Sequence, residues 1–320
     1  MTRKERMDLI ENIQNVRGSK VVVYITGDRP NLVTQIGTDI FPFLHQHLAS
    51  GGADKIDLFL YSLGGDTMAG YALVNLFREF CNEFNVIIPF RALSCATLIA
   101  LGANEVVMTK TGQLSPIDPS LSEHPLAPVV ELPNRPRAVV PINVEDVNAF
   151  LDLAKEEFKL NDEQSMLSVF DKLSSKIDPI VLGAVQRSRQ QIAFLATKLM
   201  EYHTKDEQVI EKCVRIVTRE RFSHSYIISK TEAEQTLKLN VIEPTGPLNA
   251  SIMMLNGLYR EMLKLDVPYF QTNDQSDPDW DVANLNLGIL ESMKLTHVCR
   301  PVINQNRQVI AGRWLEDLEL

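Results

Sequence analysis

Ile56-Asp57-Leu58-Phe59-Leu60-Tyr61, continuing as Ser62-Leu63-Gly64-Gly65-Asp66, is the stretch whose reading decides the fold. A nearly unbroken apolar run bounded by a turn reads as a strand buried on both faces, as in a parallel sheet covered by helices. Two glycines then let the backbone turn sharply and approach a neighbour closely. Asp66 is placed to cap a following helix, expected to reach about Phe84. Outward from this stretch the same rhythm repeats. Lys20 to Thr26 is a first buried strand, stopped by Gly27-Asp28-Arg29-Pro30-Asn31. Leu32 to Leu48 reads as mostly helical with a break at Pro42, and Gly51-Gly52 ends it. Asn85 to Phe90 is a third strand, Cys95 to Gly102 a helix and Glu105 to Met108 a further strand. Stacked βα units of this kind predict an α/β fold with a largely parallel sheet and helices on both faces.

Beyond this core the character of the chain changes. Pro125, Pro128, Pro133, Pro136 and Pro141 punctuate a segment read as a loop or an oligomer-contact arm. Residues 144 to 216 have helical period, interrupted at Asp178-Pro179 before a helix over Val181 to Tyr202. A small α/β tail follows, with a loop over Thr272 to Asp281 and a hairpin pairing Thr296-His297-Val298-Cys299 with Gln308 to Ala311. The expected organisation is a core over 1–124, an arm over 125–143, helices and remaining core over 144–245, and a C-terminal extension over 246–320.

The 320 residues carry a net charge of −9, from 32 Lys and Arg against 41 Asp and Glu, and no basic block offsets it. Nucleic acid is therefore an unfavourable partner. The apolar stretch Ala92 to Ala103 is far short of the roughly 20 residues that span a bilayer, and Met1 to Arg6 leads into Met7 to Ile13, which reads as an amphipathic helix and not a secretory signal. Cys81, Cys95, Cys213 and Cys299 form no CxxC pair, which suits a reduced, cytoplasmic setting.

Chemistry points to two motifs. Ser62-Leu63-Gly64-Gly65-Asp66 lies between a strand and a helix and leaves backbone N–H groups pointing outward. Arg91-Ala92-Leu93-Ser94-Cys95-Ala96-Thr97 sets a hydroxyl at a helix start among small neighbours. Each alone is a common pattern; in this order they form a candidate acyl-transfer site. Ser94 is the candidate nucleophile, the N–H groups of Gly65 and Cys95 the candidate oxyanion donors, and Gly64, Asp66 and Thr97 candidate substrate contacts. Arg91 is expected to pair with a surface acid. His45 and His47 point to different faces of one helix, and His124, His203 and His297 are isolated in sequence.

Tyr61 to Gly70 resembles the strand, glycine turn and helix start of the Clp protease subunit, and Ala92-Leu93-Ser94-Cys95-Ala96 resembles its nucleophile motif. A closer resemblance, over roughly residues 20 to 240, is to the serine dehydrogenase proteinase family, relatives of signal peptide peptidase A. It is carried by the two motifs above with Leu114-Ser115-Pro116-Ile117-Asp118-Pro119, Leu182-Gly183-Ala184-Val185 and Ser223-His224. The resemblance implies a ClpP/crotonase-like fold with a helical and small α/β C-terminal extension, serine-type hydrolysis of peptides, no cofactor and a homo-oligomer. The Clp base, a histidine that would fall near Pro119, is absent there, and Leu63 stands for the turn's usual proline. His224 is then the leading candidate base, with Asp118 to orient it. Lys110, Lys155, Lys159, Lys172 and Lys176 are the alternatives that the signal-peptide-peptidase likeness implies. A scaffold that has lost its base, and acyl-CoA chemistry in the same amide hole, are the competing readings.

Overall fold

The computed structural model describes residues 2–117, 126, 129–132, 135–139, 144–218, 226–272, 274–277 and 279–317. Helix α1 (Arg3–Arg17) opens on a reciprocal Thr2/Glu5 capping box and closes on Gly18 in the left-handed region. Strand β1 (Lys20–Thr26) leads into the short hairpin β2 (Asp28–Arg29) and β3 (Leu32–Val33). Helix α2 (Phe41–Ala49) is shorter than its apolar pattern, and Pro42 lies in its first turn. There the missing N–H has no helical partner to lose, so Pro42 starts the helix and does not break it.

Strand β4 (Lys55–Tyr61) and helix α3 (Thr67–Phe80) flank the glycine turn, with Asp66 capping α3 through its side chain. The helix stops at Phe80 and not near Phe84, because the chain re-enters the sheet early as β5 (Glu83–Ile88). Then come β6 (Arg91–Ala92), α4 (Cys95–Leu101), β7 (Val106–Met108) and β8 (Gln113–Leu114). Within the proline-rich segment, β9 (Val129–Leu132) and β10 (Arg135–Val139) pair as an antiparallel hairpin. Helices α5 (Val144–Asp152), α6 (Glu163–Ser174), α7 (Pro179–Met200) and α8 (Glu207–Thr218) follow. Asp178 caps α7 and Pro179 begins it, two residues before the apolar pattern does. Strand β11 (Ile228–Ser229), helix α9 (Lys230–Gln235), strand β12 (Val241–Ile242) and helix α10 (Gly246–Met262) lead to β13 (Gly288–Glu291), β14 (Thr296–Ile303) and β15 (Val309–Glu316).

Among the described residues the main sheet runs β12-β7-β5-β4-β1-β13-β14-β15. The junctions from β12 to β1 are parallel, and those from β1 to β15 are antiparallel. The largely parallel sheet expected from the βα rhythm is thus mixed, because the C-terminal hairpin adds to its open edge. Successive strand residues serve opposite faces. Val22, Tyr24, Leu58, Leu60 and Val86 pack with α2, α3, α4 and α7, whereas Val21, Val23, Ile25, Phe59 and Ile87 pack with α1 and α10. Both faces are dry, which is why these strands read as continuous apolar runs.

Buried ions and polar rings tie the distant ends of the chain together. The Arg6 guanidinium donates to both Glu291 carboxylate oxygens, at 2.8 and 2.9 Å, and the hydroxyls of Tyr259 and Thr296 donate to the same carboxylate. Removing one partner of such a pair strands the other charge in a dry interior. We expect Arg6→Ala to cost about 3–5 kcal/mol in denaturant unfolding, with Glu291→Ala similar. His47 on α2 and His297 on β14, which sequence spacing leaves isolated, lie ring nitrogen to ring nitrogen at 2.9 Å, and Ser292 completes the chain at 2.8 Å. Burial, then the His297 ring and the Lys20 charge, lower the His47 pKa from 6.5 to about 3. Between those values the unfolded chain binds a proton that the folded chain refuses, so stability falls as pH drops below 6.5. Unfolding at pH 4 compared with pH 7 should show wild type losing about 3 kcal/mol more than His47→Gln.

Candidate active site

The parallel strands β1, β4 and β5 deliver Thr26, Tyr61 and Ile88 to one edge of the sheet, and the site is assembled there. Ser62 follows β4 with its hydroxyl buried, accepting from the Thr26 hydroxyl (2.7 Å) and from the Gly64 N–H (2.9 Å). Those bonds fix the turn that follows. Gly64 and Gly65 adopt φ of 118° and 150°, values that side chains with a Cβ rarely reach. A Cβ on Gly65 would stand 2.2 Å from the Ile36 carbonyl oxygen, and one on Gly64 would stand 2.8 Å from the Ser94 Cβ. The second contact brings the two sequence motifs together.

Ser94 precedes α4 with φ 50° and ψ −115°, a backbone state that costs a residue of its type about 1–3 kcal/mol. It is half-buried, and its N–H donates to the Ser115 hydroxyl at 2.8 Å. Among the described residues, the N–H groups of Gly65 and Cys95 donate to no acceptor. They are the two groups expected as oxyanion donors, and they flank the Gly64–Ser94 contact. Gly70 lets α3 come close: a Cβ there would meet the Cys95 sulfur at 2.4 Å.

Other candidates take different places. The Asp66 carboxylate accepts from the Met68 N–H (2.8 Å) and the Ala69 N–H (3.4 Å) through one oxygen, and so caps α3. The Gly64 carbonyl and the Asp66 N–H are paired with Ile36 at 2.9 Å each, which closes that edge to an added strand. Thr97 is fully buried, its hydroxyl donating to the Ala92 carbonyl and accepting from the Ser115 N–H. It supports the turn from behind instead of lining a groove. The Cys95 thiol is buried, donates to the Asp66 carbonyl, and is pushed up to about 12 chiefly by burial, so it is no reactive thiol. Arg91 pairs with Asp28 at 2.6 Å, as an ordinary ion pair would, and Tyr61 donates to the same carboxylate. Lys110, Lys155, Lys159, Lys172 and Lys176 are exposed. His224 and Asp118 lie outside the described residues. Among the described residues no side chain is hydrogen-bonded to the Ser94 hydroxyl.

The family model of the ClpP-like SDH-type serine proteinases matches residues 1–178, which hold both motifs. The chain belongs to this family. Two uncharacterized proteins of Methanocaldococcus jannaschii are similar to it. MJ1495 is 27% identical over 168 residues, covering 50% of this chain and 56% of the relative. MJ0137 is 27% identical over 135 residues, covering 39% and 46%. The chain spans about half the length of the curated relatives it matches. A solved structure of a mutant 1510-N membrane-bound stomatin-specific protease aligns with a TM-score of 0.39 at 13% identity, covering 77% of this chain and 86% of that one. That likeness is too distant to speak to function. Membership agrees with the ClpP/crotonase-like α/β fold expected from the resemblance, and the family is one of serine proteinases.

Within the motif Leu114 to Pro119, Ser115 has no role that the sequence itself indicates. The signal was only a serine beside a proline, and its hydroxyl acquires meaning when the fold sets it against the Ser94 backbone. The dependence of the site on the glycine contact is open to test. Gly64→Ala should displace Ser94 and slow its labelling by an activated phosphonate about 100-fold or more, read by intact mass at matched folded fraction.

Proposed function

We propose that this chain is a serine peptidase that cleaves peptide bonds through an acyl-enzyme on Ser94. The observation that carries the reading is the Gly64–Ser94 contact, which sets a strained serine between two N–H groups lacking an acceptor among the described residues. In this scheme a base takes the Ser94 hydroxyl proton as Oγ attacks the carbonyl carbon. The developing oxyanion is held by the Gly65 and Cys95 N–H groups, each worth about 3–4 kcal/mol of barrier. The C–N bond then breaks, the base returns the proton to the leaving amine, and water hydrolyses the ester by the reverse relay. His224 is the proposed base and Asp118 its orienting acid. In support, Asp118 directly follows Ile117, whose N–H donates to the Val217 carbonyl at 2.8 Å near the end of α8, and His224 follows α8 in the chain.

No helix among the described residues is long and apolar enough to cross a membrane, and a cytoplasmic setting belongs to this proposal. So does a homo-oligomer, supported by exposed Phe150, Leu153, Phe158, Leu167, Phe170 and Ile180 on the helical segment. Sedimentation velocity on the full chain is expected to give a multiple of the monomer mass. A domain layout with its core over 1–124, its arm over 125–143, helices and remaining core over 144–245 and its extension over 246–320 is proposed with it. The decisive experiment is fluorophosphonate labelling of wild type and Ser94→Ala. One adduct on wild type and none on the variant is expected; a folded wild type that takes no adduct overturns the reading.

A further inference from the structure

Ser94 is held in a disfavoured backbone state, and its grip comes from a different part of the chain. The Ser94 N–H donates to Ser115 Oγ at 2.8 Å. The Ser115 hydroxyl proton is itself committed to the Pro116 carbonyl at 2.9 Å, so toward Ser94 the oxygen acts as an acceptor. The Ser115 N–H donates to Thr97 Oγ1 at 3.0 Å, and the Thr97 hydroxyl donates to the Ala92 carbonyl at 2.8 Å. These bonds run in one direction, Ser94 to Ser115 to Thr97 to Ala92, and so fasten the residues before and after the serine to one turn. Ser115 is 1% and Thr97 0% exposed. Water therefore does not compete for the bonds, and a lost partner is not replaced.

The direction of the Ser94 N–H has a chemical consequence. With that N–H given to Ser115, the next one along the chain, that of Cys95, has no acceptor among the described residues. If the Ser94 peptide rotated toward ordinary helical values, Oγ would move relative to both donors. The geometry points to Ser115 as the positioning residue of the nucleophile: its hydroxyl oxygen, by accepting the Ser94 N–H, holds the strained turn that aims Oγ. This rests on the reading of Ser94 as nucleophile.

The test uses the full chain as wild type, Ser115→Ala, Ser115→Thr and Ser115→Cys. Reaction with a fluorophosphonate across a concentration series gives kinact and KI by intact mass. Amide hydrogen exchange of the segment containing Ser94 is followed in parallel. Ser115→Ala should lower kinact about 10- to 100-fold at unchanged KI, with Ser94 exchange about tenfold faster or more. Ser115→Thr, which keeps the acceptor, should restore both to within about threefold, and Ser115→Cys, a longer and weaker acceptor, should fall between. A folded Ser115→Ala or Ser115→Cys with wild-type exchange at Ser94 and wild-type kinact overturns the inference. A wild type that takes no adduct sinks the peptidase reading alone, because the exchange comparison still decides whether Ser115 holds the Ser94 backbone.

Discussion

The site depends on a van der Waals constraint: the Gly64 Cα lies so close to the Ser94 side chain that no Cβ fits between them. Close packing leaves little room for adjustment at such a point, since both partners lie in turns held by hydrogen bonds. Gly64 is fixed by the buried Ser62 hydroxyl and by Ile36, and Ser94 by the turn into α4. Ser94 and two N–H groups that lack an acceptor among the described residues are therefore arranged largely by backbone geometry, with the Ser115 hydroxyl accepting the Ser94 N–H. This explains the run of small residues Ala92, Ala96, Ala69 and Gly70 around the site. Their value is the approach they allow between α3, α4 and the ends of the strands.

The same edge of the sheet is stiffened by polar groups that are themselves fully bonded. Thr26, Ser62, Ser115 and Thr97 are buried, and each hydroxyl has a partner. A half-satisfied network would cost more than an apolar one, so their completeness is a condition for keeping them beside Ser94. Farther away, Arg6 with Glu291 and Arg17 with Asp57 fasten the first helix to the sheet from both of its halves. The C-terminal strands are thereby part of the body that carries the site, through their ladder with β1.

Much of the fold was legible because both faces of the strands are dry. Lys20 to Thr26 and Ile56 to Tyr61 read as strands for that reason, and β1 and β4 coincide with them to within a residue. Errors fell where a local signal has two meanings. Pro42 and Pro179 are helix breakers in an interior and helix starters in a first turn, and only the surrounding packing decides which. Phe80 ends α3 with no glycine or proline to announce it. In the site, the motifs put Ser94, Gly65 and Cys95 forward as candidates, whereas nothing in the sequence announces that Thr97 is buried beneath the turn or that Asp66 caps α3, because a polar residue type gives no hint of which way its side chain points.

Sequence by itself determined the alternation of buried strands and helices, the glycine turn, the serine at a helix start and the absence of basic character, since each depends on residues close together in the chain. Tertiary structure alone decided what joins across long separations. It set Gly64 against Ser94, gave the Ser94 N–H to Ser115, paired His47 with His297 and laid the C-terminal hairpin on β1. Spacing along the chain cannot encode these contacts, because they are fixed by how whole elements pack and not by the periodicity within any one of them.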